Sequence, residues 1–498
     1  MAARVDRDEV FLELTRSICP LCKRVIDAEV NARENRVLLR KRCPEHGTFE
    51  ALVSSDAEAY VAQQRFNKPG TLPLALQTEV REGCPLDCGI CPAHKQHACL
   101  GIIEVNSGCN LDCPVCFADS GRRHPDHFSL TREQVARMLD AFVAAEGEPE
   151  VVQFSGGEPT IHPDILAFVA MAKERGIPIV MVNTNGIKLA ADRRFVRELA
   201  ALGAHVYLQF DGLEEATHLA MRGRDLRALK ARALEHCAQE GVGVTLVAAV
   251  DRGVNDHEIG AIIRAGVAHP AVNSVVLQPV THSGRHPAFD PMARLTNADV
   301  IAACAAQLPE WFDTSDFVPV PCCFPSCRSM SYALVDDGQL IPFTRMLDIE
   351  DQLDYLANRV TPDRALRGAL EQMFSSSATP GAERALMACE SCGIDLPAAL
   401  GELERKVFMV VAQDFQDAYT LNVRQLMKCC VAEIVPDGRI IPFCAYNSVG
   451  YREQVRAQLT GTAVEPVVPN ARELQGALRP TAHGSRTAAN GRKPAAAP

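Results

Sequence analysis

Apolar and polar positions between residues 100 and 285 alternate between two periods. Short apolar runs stand at 102–105, 151–154, 179–182, 206–210, 244–250 and 274–278, each bounded by polar or glycine-containing stretches. Between the first two, Val135, Met138, Leu139, Phe142 and Val143 recur at the spacing of one helix face. Thr131 and Gln134 stand where a capping box would open that helix. Six apolar runs separated by helical stretches predict a parallel sheet in an α/β fold. When such a sheet curves into a barrel, chemistry collects at the carboxyl ends of its strands. Outside this region, 28–30 and 36–39 read as a strand pair, and 335–343 repeats as 435–443, each a hairpin turning at Asp-Gly. Beyond residue 464 the apolar periodicity is lost, and the stretch from 485 on is mostly Ala with Gly, Pro, Lys and Arg, which predicts a disordered tail. The expected divisions are 1–70, 71–100, 101–300, 301–463 and 464–498.

Composition narrows this little until the cysteines are counted. The chain has 498 residues, enough for two or three domains, and is 47% hydrophobic and 23% charged. A net charge of -11 argues against a protein that coats nucleic acid. No run of about 18 apolar residues suggests a membrane span, and the opening residues Arg4, Asp6, Arg7, Asp8 and Glu9 do not resemble a signal peptide. A cytoplasmic protein is expected. Twenty cysteines in a reducing compartment point to metal ligation rather than disulfides. Only Cys237 and Cys304 stand apart from motif-like groups, and they are expected to be buried small hydrophobes.

The groups differ in what they can hold. Cys19, Cys22, Cys43 and His46 form knuckles across the N-terminal hairpin, a mononuclear site for zinc or for a rubredoxin-like iron. Cys84, Cys88, Cys91 and Cys99 follow C-x3-C-x2-C-x7-C, four local thiolates that would close a [4Fe–4S] cluster. Cys109, Cys113 and Cys116 repeat the C-x3-C-x2-C spacing with no fourth thiol nearby, which leaves one iron of a cubane open. Cys322, Cys323, Cys327, Cys389, Cys392, Cys429, Cys430 and Cys444 exceed the need of one further cluster. Cys322, Cys327, Cys430 and Cys444 are the favoured set, with Cys389 and Cys392 as rivals.

The Cys109–Cys113–Cys116 spacing, followed one helix later by Gly156, Gly157, Glu158 and Pro159, resembles the signature of the radical S-adenosylmethionine (SAM) enzymes. That resemblance implies a partial (β/α)6 barrel, here with a small N-terminal metal-knuckle domain and a C-terminal iron–sulfur auxiliary domain. It also implies that SAM binds the open iron. Glycines let backbone approach a ligand closely, and the Gly-Gly-Glu-Pro segment would meet the SAM amino group. By the same resemblance, Asn183 and Asn185 after the third strand and Asp211 after the fourth would line SAM, with Asn255 near its carboxylate. Ordinary Asn/Asp-Gly turn chemistry is the alternative for each.

From about residue 15 to 450, the order of motifs resembles the archaeal tetraether lipid synthases and their relatives, which include radical pterin methylases. The pattern includes Pro442, Phe443, Cys444, Ala445, Tyr446 and Asn447 near its end. The resemblance implies three [4Fe–4S] clusters, one mononuclear iron (or zinc), and an electron donor such as ferredoxin or flavodoxin. The leading expectation is coupling of lipid alkyl chains at unactivated carbon, with peripheral contact at the inner membrane face. The alternative is methylation of a pterin precursor such as 6-hydroxymethyl-7,8-dihydropterin. A lipid predicts a long apolar cavity, and a pterin predicts a compact pocket with acidic and amide groups.

Overall fold

A computed structural model describes residues 8–121, 127–286, 289–345 and 407–461. Cys389, Cys392 and the predicted tail lie outside the described residues. Four N-terminal strands, β1 (Val10–Ile18), β2 (Val25–Arg33), β3 (Arg36–Cys43) and β4 (Gly47–Ser54), form an antiparallel sheet in sequential order.

The six predicted runs become β5 (Leu100–Asn106), β6 (Val151–Gly156), β7 (Ile179–Thr184), β8 (His205–Gln209), β9 (Val244–Val250) and β10 (Val272–Pro279). They pair in sequence order, all parallel. The Arg132–Glu146 helix opens with the Thr131–Gln134 capping box, and its Val135, Met138, Leu139 and Phe142 are buried in the main core. Apolar side chains of β6, β7, β8 and β9 join that core, as expected of strands covered by helices.

The sheet does not end near residue 300. After β11 (Val318–Pro319), β12 (Arg328–Asp336) and β13 (Gln339–Pro342), β14 (Val407–Gln413) lies parallel beside β10, and β15 (Val431–Ile434) lies parallel beside β5. β12 returns antiparallel on β14, and β16 (Ile440–Pro442) does so on β15. The segment expected to form an auxiliary unit therefore extends both edges of the central sheet. Both Asp-Gly hairpins form, with Gly338 at φ 76° and Gly438 at φ 87°, a left-handed conformation that glycine adopts without a Cβ clash. Cys237 and Cys304 are buried in the main core as small apolar groups. Among the described residues, no helix is long and apolar enough to cross a membrane.

Candidate active site

The loop after β5 carries Cys109, Cys113 and Cys116, and all three line a cavity of about 270 Å³. Ser155, Gly156, Gly157, Glu158, Asn183 and Asn185 reach the same cavity from the ends of β6 and β7, and Gln209 reaches it from β8. The cavity continues inward along Gln153, Tyr207, Gln278, Gln413 and Glu433.

Close backbone contact explains the paired glycines. A Cβ at Gly157 would lie 2.1 Å from the Gly108 carbonyl oxygen, and one at Gly156 would lie 2.2 Å from that of Asn106. The loop is locked where it touches the cysteine loop, since Gly157 N donates to Asn106 O at 2.8 Å and Glu158 N to Gly108 O at 2.8 Å. Gly157→Ala is expected to lower stability by about 3 kcal/mol, read as a drop in thermal midpoint together with weaker SAM binding.

The glutamate does something other than greet a ligand alone. Its Oε1 accepts from Thr160 N (3.0 Å), Thr160 Oγ1 (2.6 Å) and Thr184 Oγ1 (2.8 Å), and its Oε2 accepts from Asn185 N at 2.8 Å. Burial pushes the carboxyl up, against the pull of these donors. Glu158 thus ties the β6 loop to the β7 loop. Asn185 Nδ2 donates to Asn110 Oδ1 at 2.6 Å and stands 4.0 Å from Cys109 Sγ. Asn183 Nδ2 donates to Ser155 Oγ at 3.2 Å.

Asp211 and Asn255, expected to line SAM, are engaged by groups of the fold itself. Asp211 is fully buried, does not line the cavity, and holds Arg222 through contacts of 2.6 and 2.7 Å. Asn255 is fully buried and spends its amide on the backbone. Its Nδ2 donates to Asp211 O and Ala249 O, and its Oδ1 accepts from Asp251 N. Both polar groups are satisfied by the fold. The group that faces the cavity in their place is Arg222, which lines it and donates to Val115 O at 2.9 Å.

Sequence reasoning missed Arg222 and three other groups around the cysteine loop. Arg285 Nε donates to Cys113 O, Nη1 to Asp119 Oδ1 and Nη2 to Ser120 O. Arg452 Nη1 donates to Phe117 O at 2.8 Å. Buried Lys230 donates to Asn185 O at 2.7 Å, and burial lowers its amine to about 8. No motif marks these residues; a lone basic residue after a strand has many ordinary uses.

The donor set fits an iron–sulfur cluster. Burial pushes the Cys109 thiol up to about 12 and raises that of Cys113, although Arg222 pulls the latter down. A metal that binds thiolate would supply the missing positive charge. Cys109, Cys113 and Cys116 would hold such a cluster, which with SAM would supply radical chemistry at this cavity. Arg285 and Arg452 hold the cysteine loop, and the Gly156–Gly157 backbone holds the wall beside it.

The other cysteines regroup. Cys84, Cys88 and Cys91 stay together around a small pocket with Met427 and Pro442, their loop pinned by Asp87 Oδ2, which accepts from Arg81 N, Glu82 N and Gly83 N. Cys99, expected to complete that set, instead stands 3.8 Å from Cys322, which stands 3.8 Å from Cys430. Cys327 and Cys444, expected to join Cys322 and Cys430, interact with Cys323 and Cys429. These thiols lie close together, so Cys430 also interacts with Cys323, and Cys327 with Cys444. Cys99→Ala, Cys322→Ala and Cys430→Ala are accordingly expected to remove one common spectroscopic signal, and Cys84→Ala a different one, checked by electron paramagnetic resonance and iron content. At the N-terminus, Cys43 Sγ lies 3.5 Å from His46 Nδ1 and 3.8 Å from Cys22 Sγ, and Cys19 Sγ lies 3.7 Å from His46 Nδ1, so the four predicted ligands converge.

Comparison with known proteins places this geometry. The radical SAM superfamily model matches residues 103–265, and one described as the HMPTM N-terminal zinc ribbon domain matches residues 11–55. The 7,8-dihydro-6-hydroxymethylpterin dimethyltransferase of Methanocaldococcus jannaschii is 32% identical over 90% of this chain and 95% of its own length. The Fe-coproporphyrin III synthase of Methanosarcina barkeri is 35% identical over 24% of this chain and 28% of its own. The crystal structure of Streptococcus suis SuiB bound to S-adenosylmethionine aligns at a TM-score of 0.35 and 16% identity, over 44% of this chain and 55% of that one. With open-cluster cysteines, glycine loop and ribbon in one chain, and a relative matched over almost its whole length, this protein is a radical SAM enzyme and belongs to the family of the M. jannaschii dimethyltransferase.

Proposed function

We propose that the enzyme methylates a dihydropterin-class small molecule, with hydrogen abstraction at the substrate carbon as the radical step. The observation that carries this reading is the inner cavity. Its lining includes Gln153, Gln278, Gln413, Glu104 and Glu433, within the same cavity of about 270 Å³ that the cysteine loop reaches. Amides and acids suit a small heterocycle rich in donors and acceptors, whereas a pair of long alkyl chains would leave them unpaired. The name of the M. jannaschii relative favours the same class, so pterin chemistry replaces lipid coupling as the preferred reading.

The cofactors proposed with it are SAM, three [4Fe–4S] clusters and one mononuclear ion. Three thiols and an imidazole at Cys19, Cys22, Cys43 and His46 suit zinc, which binds such mixed sets in a tetrahedron. A ferredoxin or flavodoxin is the proposed electron donor. The test is anaerobic incubation of reconstituted protein with SAM and dithionite, alone, with 6-hydroxymethyl-7,8-dihydropterin, or with a phospholipid. The dihydropterin is expected to stimulate 5′-deoxyadenosine formation. Stimulation by phospholipid alone would overturn the reading.

A further inference from the structure

Glu433 sits on β15, opposite Ile102 of β5, and faces the inner cavity while only 2% exposed. Its neighbour Glu104 is fully engaged. Glu104 accepts from Tyr446 Oη at 3.1 Å and pairs with Arg452 and Arg456, each at 3.2 Å. No hydrogen bond reaches the Glu433 carboxyl from the described residues, and the two arginines act on it only at longer range. A buried carboxyl without a hydrogen bond is costly, so one aimed into a cavity points to a ligand that completes it.

We infer that Glu433 is the anchor for the lactam edge of the substrate's ring, an inference that rests on the dihydropterin reading above. Burial and the nearby Glu104 carboxylate push the Glu433 carboxyl well above its ordinary range. In its protonated form, which that environment favours, the carboxyl presents one O–H donor beside one C=O acceptor. The lactam of a pyrimidinone presents the complement, an N–H donor beside a C=O acceptor, so two parallel hydrogen bonds can form. An alkyl chain offers neither. Gln153 and Gln278 line the same cavity and could serve the remaining ring heteroatoms.

The test exploits the likeness of a carboxylic acid to a primary amide. Glu433→Gln keeps one donor and one acceptor, and Glu433→Leu removes both at similar volume. Binding of 6-hydroxymethyl-7,8-dihydropterin is followed by anaerobic fluorescence titration of the reconstituted full chain, with circular dichroism and iron content as folding controls. Glu433→Leu is expected to bind about thirtyfold more weakly, and Glu433→Gln within about threefold of the parent. Unchanged binding by Glu433→Leu, or equal loss in both variants with folding intact, would overturn the anchor while leaving the dihydropterin reading in place. A parent protein that binds no dihydropterin would overturn the functional reading, and the anchor with it.

Discussion

Cys113→Ala is expected to abolish reductive cleavage of SAM, cutting 5′-deoxyadenosine formation by at least about a thousandfold, equivalent to about 4 kcal/mol of barrier. Cys109, Cys113 and Cys116 line one wall of the cavity, and the spacing supplies no fourth local thiol to take over. The loop that carries them is held independently of any one sulfur. Arg285 donates to Cys113 O and Ser120 O, and the Cys116 and Arg285 backbones exchange two hydrogen bonds of 2.9 Å. The variant should therefore fold and still carry the ribbon metal and the auxiliary iron, because those ligands lie elsewhere. Iron content should fall by part of the total, and the signal that changes on adding SAM should vanish. A Cys113→Ala protein that still cleaved SAM at the parent rate would remove the open-cluster account.

What the sequence made legible is what depends on local spacing. The parallel strands followed from apolar runs, the Arg132–Glu146 helix from its cap and face, and the N-terminal ligand set from two knuckles across a hairpin. What depends on pairing between distant segments was hidden. Nothing local in 407–413 or 431–434 tells which edge of the sheet each strand joins, yet β15 brings Glu433 beside Glu104. Cys99 illustrates the same limit. Its separation from Cys91 suited a closed local cluster, but a partner 223 positions away claims its sulfur. Asp211 and Asn255 show another limit. Both residue types serve equally as ligands and as buried ties, and the partners they meet, Arg222 for Asp211 and backbone groups for Asn255, come from other elements of the fold.

That buried pair gives the largest expected effect on stability. Asp211→Ala should cost about 3–5 kcal/mol, because it strands a guanidinium in the interior. The Arg222 side chain is 9% exposed and that of Asp211 is 0% exposed, with their closest atoms 2.6 Å apart. Burial works against the Asp211 carboxylate, yet Arg222 outweighs it, with smaller help from Lys230 and Ala249 N, and holds the carboxyl below its ordinary range. A carboxyl depressed in the folded state adds stability that is fully present above its unfolded value, about 3.9, and is lost as pH falls through the folded value. Urea unfolding should therefore show a large gap between parent and variant at neutral pH, narrowing only in strong acid. A residue whose task was to bind the SAM ribose would behave differently, weakening SAM binding with little change in the urea midpoint. Because Arg222 also lines the cavity and contacts the cysteine loop at Val115 O, the variant should lose SAM cleavage as well. Recovery of the urea midpoint in Asp211→Ala/Arg222→Leu, without recovery of SAM cleavage, would separate the structural cost of the pair from the part Arg222 plays at the site.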